Sequence, residues 1–422
     1  MKHFSTLHLF ALLLVAGATV TVACMEDPPP AVESLNVADY HMEEADGADA
    51  QKASLLDDIG SATERIDIAV STLADEELAA ALVDAHEAGV EVRVVGDWDA
   101  REEAGFALLD DNDIMPVFGD GTLAYLPEPT LSSIVQQCRE RSDEQLIQCS
   151  SGQPGAGNAM MVRPGDYNQM AHDFAVIDDK LVWTFPPPDN TKRSWVGWRI
   201  ESSQLAYDFV REFQQMHGGV FSTTLTVYNG PLKSTADSHS HYLTDMGMMR
   251  VWFNPQQRLI KTVIDEVYKA KASVWVMSDN IVNSDLIDAL EYKAGNGFDV
   301  RVMTHPDHQA QDSSADRLDD LGARYAPEEL DHLPTLIVID DRVDRNGRER
   351  PRKVLSLSHP LIRAQPFDVE YRRSADQVNI FPSDLFVDGN LWELLETGTT
   401  THQDPTIEDF KENWLQIYDS AE

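Results

Sequence analysis

The chain has 422 residues, 42% hydrophobic and 25% charged, a balance that fits one large or two ordinary globular domains and excludes a disordered chain. Its 33 Lys and Arg stand against 72 Asp and Glu, a formal net charge of −39, which repels phosphate backbones and anionic lipid surfaces. No Lys/Arg run forms a basic groove. The densest cluster, "DRVDRNGRERPRK" (341–353), reads as the tip of a hairpin, so a nucleic-acid partner is not expected.

In chain order, "MKHFSTLHLFALLLVAGATVTVAC" (1–24) comes first. It has a Lys near the start, an apolar stretch and small residues before Cys24, the layout of an export signal. The run from Leu7 to Ala23 includes His8 and two threonines and is short for a membrane span. "TVAC" resembles the lipobox of bacterial lipoproteins, which implies lipidation of Cys24 and a place in the outer membrane or periplasm. Thr21 departs from the usual aliphatic residue there, and plain secretion is the alternative. Residues 25–50 are acidic and proline-bearing, as a flexible tether would be.

From Leu55 the elements alternate. Leu55, Leu56, Ile59 and Ala62 predict a helix, and "IDIAV" predicts a strand. Asp75 caps a second helix with Glu76 and Glu77 in its first turn and Gly89 at its end, and "VEVRVVGD" is the next strand. This alternation predicts an α/β sandwich with a largely parallel sheet. Cys138 and Cys149 follow, the pair left for a disulfide in an oxidising compartment once Cys24 is lipidated; two free thiols are the alternative. "FAVIDD" (174–179) reads as a buried strand ending in a turn, and "YDFVREFQQMHGGVF" (207–221) as an amphipathic helix.

The second half repeats the first. Residues 55–94 align without a gap to 263–302 at a constant offset of 208, with Asp57, Ala62, Leu78, Ala81, Leu82, Gly89, Val92, Arg93 and Val94 each meeting an identical residue. "FAVIDD" is answered by "LIVIDD" (336–341) at an offset of 162, so the first half holds 46 more residues between the matched blocks, the Cys138–Cys149 segment among them. The expected divisions are 51–221 and 251–422, joined by a linker at 222–250 and closed by the helix "DFKENWLQIY" (409–418).

A duplicated α/β unit with "VRV" strands and an apolar strand ending in Asp resembles the phospholipase D superfamily. The resemblance implies two tandem α/β sandwich domains related by a pseudo-twofold, and an HxKxxxxD motif in each half. One histidine would attack phosphorus, the other would protonate the leaving oxygen, and the lysines would hold the phosphate. Here the positions are vacated. On the first strand the His, Lys and Asp places hold Ala171, Asp173 and Asp178; on the second they hold Leu333, Thr335 and Asp340. Only the aspartates remain, and a carboxylate at Asp173 repels phosphate. His172 and His332, each adjacent to a vacated position, are the candidates for displaced catalysis; otherwise they are ordinary loop histidines. Asp178 and Asp340 read as turn residues that satisfy backbone N–H groups.

His305, Asp307 and His308 follow a strand and are weak candidates for a metal, but their spacing matches no known signature. Trp183, Trp195 and Trp198 could line a cleft, with core packing the default. The expectation is thus a catalytically degenerate, lipid-anchored, monomeric envelope protein without a cofactor, binding an unidentified small ligand or envelope partner. An active phosphodiesterase is the alternative.

Overall fold

The computed structural model describes residues 36–38, 45–97, 100–119, 169–188, 197–218, 242–244, 247–254, 257, 259–306, 314–327, 330–340, 346, 352–359, 361, 387–388, 390–395 and 405–420. Cys24, Cys138, Cys149, Trp195, Asp307 and His308 lie outside them.

The first half opens with β1 (Asn36–Ala38), α1 (Ala45–Gly60), β2 (Arg65–Val70), α2 (Glu76–Glu87), β3 (Glu91–Asp97), α3 (Ala104–Asp110) and β4 (Val117–Gly119). It continues with β5 (Gln169–Met170), β6 (Phe174–Ile177), β7 (Leu181–Thr184), β8 (Trp198–Glu201) and α4 (Ser203–His217). The second half runs β9 (Tyr242–Thr244), β10 (Gly247–Phe253), α5 (Leu259–Lys269), β11 (Ser273–Met277), α6 (Ser284–Gly295), β12 (Asp299–Thr304), α7 (Ser314–Asp320) and β13 (Arg324–Tyr325). It ends with β14 (Thr335–Ile339), β15 (Lys353–Leu357), β16 (Val387–Asp388), β17 (Asn390–Leu395) and α8 (Pro405–Ser420).

The expected boundaries of the helices have a visible cause. Asp75 accepts the N–H groups of Glu77 and Leu78 at the start of α2, and Asn283, its counterpart 208 residues on, does the same for Asp285 and Leu286 at α6. Gly89 and Gly297 take positive φ (97° and 74°) just beyond those helices, where a side chain would be strained.

Duplication extends to strand order and register. One sheet runs β1-β8-β7-β6-β2-β3-β4 and the other β13-β12-β11-β14-β15-β17-β10-β9. Read outward from the central pair, the second repeats the first and adds β9 at one edge. Ile66 pairs with Ile177 and Ala69 with Phe174; Val274 and Met277 meet Ile339 and Leu336 in the same register. The sheets are mixed rather than largely parallel. β2, β3 and β4 run parallel, while β6, β7, β8 and β1 are successive antiparallel neighbours. The cause is local: three residues join β6 to β7, too few for a parallel crossover. β14 and β15 form the equivalent hairpin, with "RNGR" between them.

Ordered elements also reach into both expected linkers. β1 and the start of α1 fall within 25–50, and β9 and most of β10 fall within 222–250. β1 is held by backbone pairing to β8, a contact that composition does not reveal.

The side chains of each sheet divide between two cores. Ile66, Ile68, Ala175, Ile177 and Trp183 pack outward with Leu55, Ile59, Leu78 and Leu82 of α1 and α2. Val274, Val276, Ile337 and Ile339 pack in the same way with α5 and α6. The alternate residues, Phe174 and Val176 in one half and Leu336 and Val338 in the other, enter a shared core with Phe209 and Phe213 of α4 and Trp414 and Tyr418 of α8. Trp198 of the first half stacks on Trp392 of the second at 6.0 Å. Both tryptophans are core residues, and so is Trp183, whose indole N–H donates to Asp58 at 2.7 Å. β5 and β16 pair across the halves, tying Gln169 and Met170 to Val387 and Asp388 by backbone just before the first vacated motif. Both sheets belong to one compact unit, Ser34–Glu422.

Candidate functional site

The vacated motifs lie at the ends of β2 and β6 in the first half and of β11 and β14 in the second. Met170, just before the first, and Leu333, at the His place of the second, enter the shared core. Each motif aspartate closes the far end of its strand. Asp178, at φ 51°, accepts the backbone N–H groups of Thr63, Glu64 and Arg65 and the Thr63 hydroxyl at 2.8–3.2 Å. Asp340, at φ 62°, accepts those of Lys271 and Ala272 at 2.6 and 2.7 Å. Burial pushes the Asp178 carboxyl up, and the hydrogen bonds from Glu64, Arg65 and Thr63 outweigh it, so its pKa lies below the ordinary carboxylate value.

At the reactive end the halves differ. In the first, Ala171 and Asp173 are buried, and the Asp173 carboxylate accepts the Ser71 N–H at 2.8 Å and the Ser71 hydroxyl at 3.0 Å. Asp97, buried at the end of β3, accepts the Met170 N–H at 2.6 Å. In the second, Leu333 is buried, and Thr335 shares a 2.9 Å hydrogen bond with the buried Ser278. Asp279, the counterpart of Ser71, accepts the Leu333 N–H and lies 2.7 Å from Nδ1 of His332. That contact places the hydrogen of a neutral His332 ring on Nδ1 and makes Nε2 the basic nitrogen. His305, the counterpart of Asp97, is fixed by its ring Nε2 to the Leu330 carbonyl at 3.1 Å and by its N–H to the Asp279 carbonyl.

The two candidate histidines are therefore not equivalent loop residues. His172 is wholly buried, with Nε2 3.6 Å from the buried Glu212 carboxylate and its ring edge-on to Phe174 at 5.4 Å. Phe253 of the second half lies 6.2 Å from the same ring. His332 is partly exposed and carries a carboxylate partner. Asp279 was not among the residues singled out from the sequence. Its signal was the constant offset, which maps Ser71 onto it. Among the described residues, no group of three or more His, Cys, Asp or Glu side chains is arranged to hold a metal, and His305 stands apart from any such set.

Residues 55–184 match the family model described as cardiolipin synthase, PLD-like domain. The match marks residues 55–184 as a phospholipase D-like domain. The crystal structure of phosphatidylserine synthase from Haemophilus influenzae Rd KW20 is similar over 92% of this chain and 87% of that one, with a TM-score of 0.51 at 11% identity, a likeness of fold. Nuc from Salmonella typhimurium, a phospholipase D family member, aligns over 41% of this chain and 95% of its own at 15% identity and a TM-score of 0.30. No curated protein sequence matches. The two halves share the strand register and an aspartate in the turn that follows, Asp178 and Asp340, with Ala171 and Asp173 in the first half and Leu333 and Thr335 in the second ahead of it.

Proposed function

We propose that this is an exported, lipid-anchored envelope protein of phospholipase D fold that has lost phosphohistidine chemistry. In this reading it binds a small ligand at the junction of its halves, or a partner in the envelope. The observation that carries the reading is Asp173. A carboxylate occupies the first lysine place and is held there by the Ser71 N–H and hydroxyl. Phosphoryl transfer needs cations on the equatorial oxygens, and a fixed anion there opposes it. Burial of His172 in an aromatic setting removes the nearer substitute nucleophile. Export and lipidation at Cys24 rest on the sequence of residues 1–24; among the described residues no helix is long and apolar enough to cross a membrane.

One observation favours a second reading. His332 has the carboxylate partner that a general base or nucleophile uses, so a phosphodiesterase acting from the second half alone is the rival. Hydrolysis of bis(p-nitrophenyl) phosphate and of phosphatidylcholine by the protein, with and without divalent metal, separates the two. The expected result is no turnover above the no-protein control. Turnover abolished by His332→Ala establishes the rival. Metal-dependent turnover indifferent to His172→Ala and His332→Ala refutes both and moves attention to His305.

A further inference from the structure

The core shared by the two halves is aliphatic and aromatic, and α4 runs through it with Phe209 against Phe253 at 5.0 Å and Trp392 at 5.3 Å. Ionisable side chains are buried here all the same. Asp208 and Glu212 stand one turn apart on the buried side of α4, and His172 comes in from the segment before β6. The Glu212 carboxylate has two contacts: Oε1 lies 3.6 Å from Nε2 of His172, and Oε2 accepts the Gln215 amide at 3.3 Å. Phe174 of the first half and Phe253 of the second both lie against the His172 ring, at 5.4 and 6.2 Å, so the ring sits on the seam. The other charges on the elements around it, among the described residues, are directed elsewhere. Asp173 faces Ser71, and Asp97 accepts the Met170 N–H. Arg211 lies over the exposed Tyr207 ring at 5.7 Å. Arg250 lies over Trp252 at 5.8 Å, on the face of β10 opposite to Phe253.

We infer that His172 is held protonated by Glu212, and that this buried pair is a pH-sensitive tie between the halves, closed at neutral pH and released in alkali. A carboxylate placed in an aromatic core is costly unless a cation or hydrogen-bond donors meet it, and the attraction at this distance is strong where water is excluded. The net charge of −39 favours the same outcome, because a proton on the ring is attracted by the chain as a whole. The sign follows from linkage. An imidazole in the unfolded chain titrates near about 6.5, and one held as a cation in the fold titrates higher. The contribution of the pair is therefore complete below that pH and is lost as pH rises through the folded-state value. Loss of the ring proton leaves the Glu212 charge against Phe174, Phe209 and Phe253. The segment Met170–Asp173, which carries the first vacated positions, then loosens from α4 and β10. Nothing in this tie depends on whether the protein binds a ligand or turns over a diester.

Titration of the full chain carrying labelled histidine, followed by nuclear magnetic resonance, reads the ring directly. The His172 signal is assigned in the native protein by its contact with the Phe174 ring. The expected result is an imidazolium at pH 8, where a free histidine is neutral. A His172 ring already neutral at pH 8 overturns the inference, and that result needs no variant to fold. Hydrogen exchange reads the release. After correction for the intrinsic effect of pH, exchange in peptides covering 170–177 and 249–253 should rise at least fivefold between pH 7 and pH 9.5. In Glu212→Gln, which removes the charge that holds the proton, the same rise should be less than twofold. Equal protection of the native protein at the two pH values, or a full rise in Glu212→Gln, overturns the tie.

Discussion

Asp178 closes the turn after β6, and its contacts predict what replacing it does. Its carboxylate gathers three backbone N–H groups and one hydroxyl from the α1–β2 turn, while its own backbone sits at φ 51°. Hydrogen bonds to a charged acceptor contribute about 1.5–3 kcal/mol each, but Thr63 and Glu64 are exposed and water recovers part of that. Taking about 1 kcal/mol for each backbone bond gives roughly 3 kcal/mol for their loss. The left-handed backbone adds about 1 kcal/mol for any residue with a Cβ that lacks a compensating side chain. Asp178→Ala should therefore destabilise by about 4 kcal/mol and Asp178→Gly by about 3. Asp178→Asn, which tolerates the conformation and keeps one acceptor oxygen, should lose about 1–2 kcal/mol. Urea unfolding of the three variants, monitored by tryptophan fluorescence, measures the series. The pH dependence carries a sign. The folded-state pKa of Asp178 lies below its unfolded value, so its contribution is full above the unfolded pKa and is lost as pH falls through the folded one. Asp178→Asn should flatten that acid limb. A loss below 1 kcal/mol in Asp178→Ala, or a glycine variant no better than alanine, would refute the assignment of this residue to a structural turn.

Three further outcomes follow from comparing the halves. Gln51 is buried with neither amide atom hydrogen-bonded, at the place where the second half has the core residue Leu259; Gln51→Leu should stabilise by about 1–3 kcal/mol in the same urea assay. Arg93 clamps the wholly buried Asp67 at 2.6 and 2.7 Å, so Arg93→Met should cost about 3 kcal/mol by stranding that carboxylate, with Arg65 at 3.3 Å as the remaining cation. Restoring the loss with Asp67→Asn in the double variant checks the cause. A Cβ on Gly105 would lie 2.2 Å from the Leu73 carbonyl oxygen, where helix α3 abuts the loop after β2; Gly105→Ala should cost about 3 kcal/mol and lower Tm in calorimetry.

How much of this was legible in the sequence depended on whether the cause was local or repeated. Helix caps at Asp75 and Asn283, the glycines that follow those helices and the buried strands all follow from short-range patterns, and the offset of 208 made each half a check on the other. The antiparallel part of the sheets was missed. The apolar run of β6 looks the same in either direction, and only the three-residue link to β7 distinguishes them. The location of His172 was missed for a related reason. Alternation puts its side chain on the face of Phe174 and Val176, which the shared core covers, but that covering comes from α4 and from Phe253 of the other half, remote in sequence.

The same comparison shows how the two reactive ends diverged. Counterpart by counterpart, Ser71 answers Asp279, Met170 answers His332, Asp97 answers His305 and Asp173 answers Thr335. In the first half the carboxylates stand at the end of β3 and just before β6, and serine and backbone donors hold them. In the second the carboxylate has moved to the end of β11, and the histidines hold its loop instead. Each end pairs its buried carboxylates with donors of its own. A symmetric phosphate site would need the same charge from both halves. Here the first end holds two carboxylates on serine and backbone donors and the second holds one carboxylate beside two histidines, so the two ends differ in chemistry. Asp173→Lys tests that argument directly. It restores the cation the motif pattern calls for but removes the acceptor of the Ser71 N–H and hydroxyl and places an ammonium in a buried position. The expected outcome is a protein destabilised by about 3–5 kcal/mol with no phosphodiesterase turnover. A stable variant that hydrolyses a diester would mean that the site was one substitution from activity, and that the asymmetry of the halves is incidental.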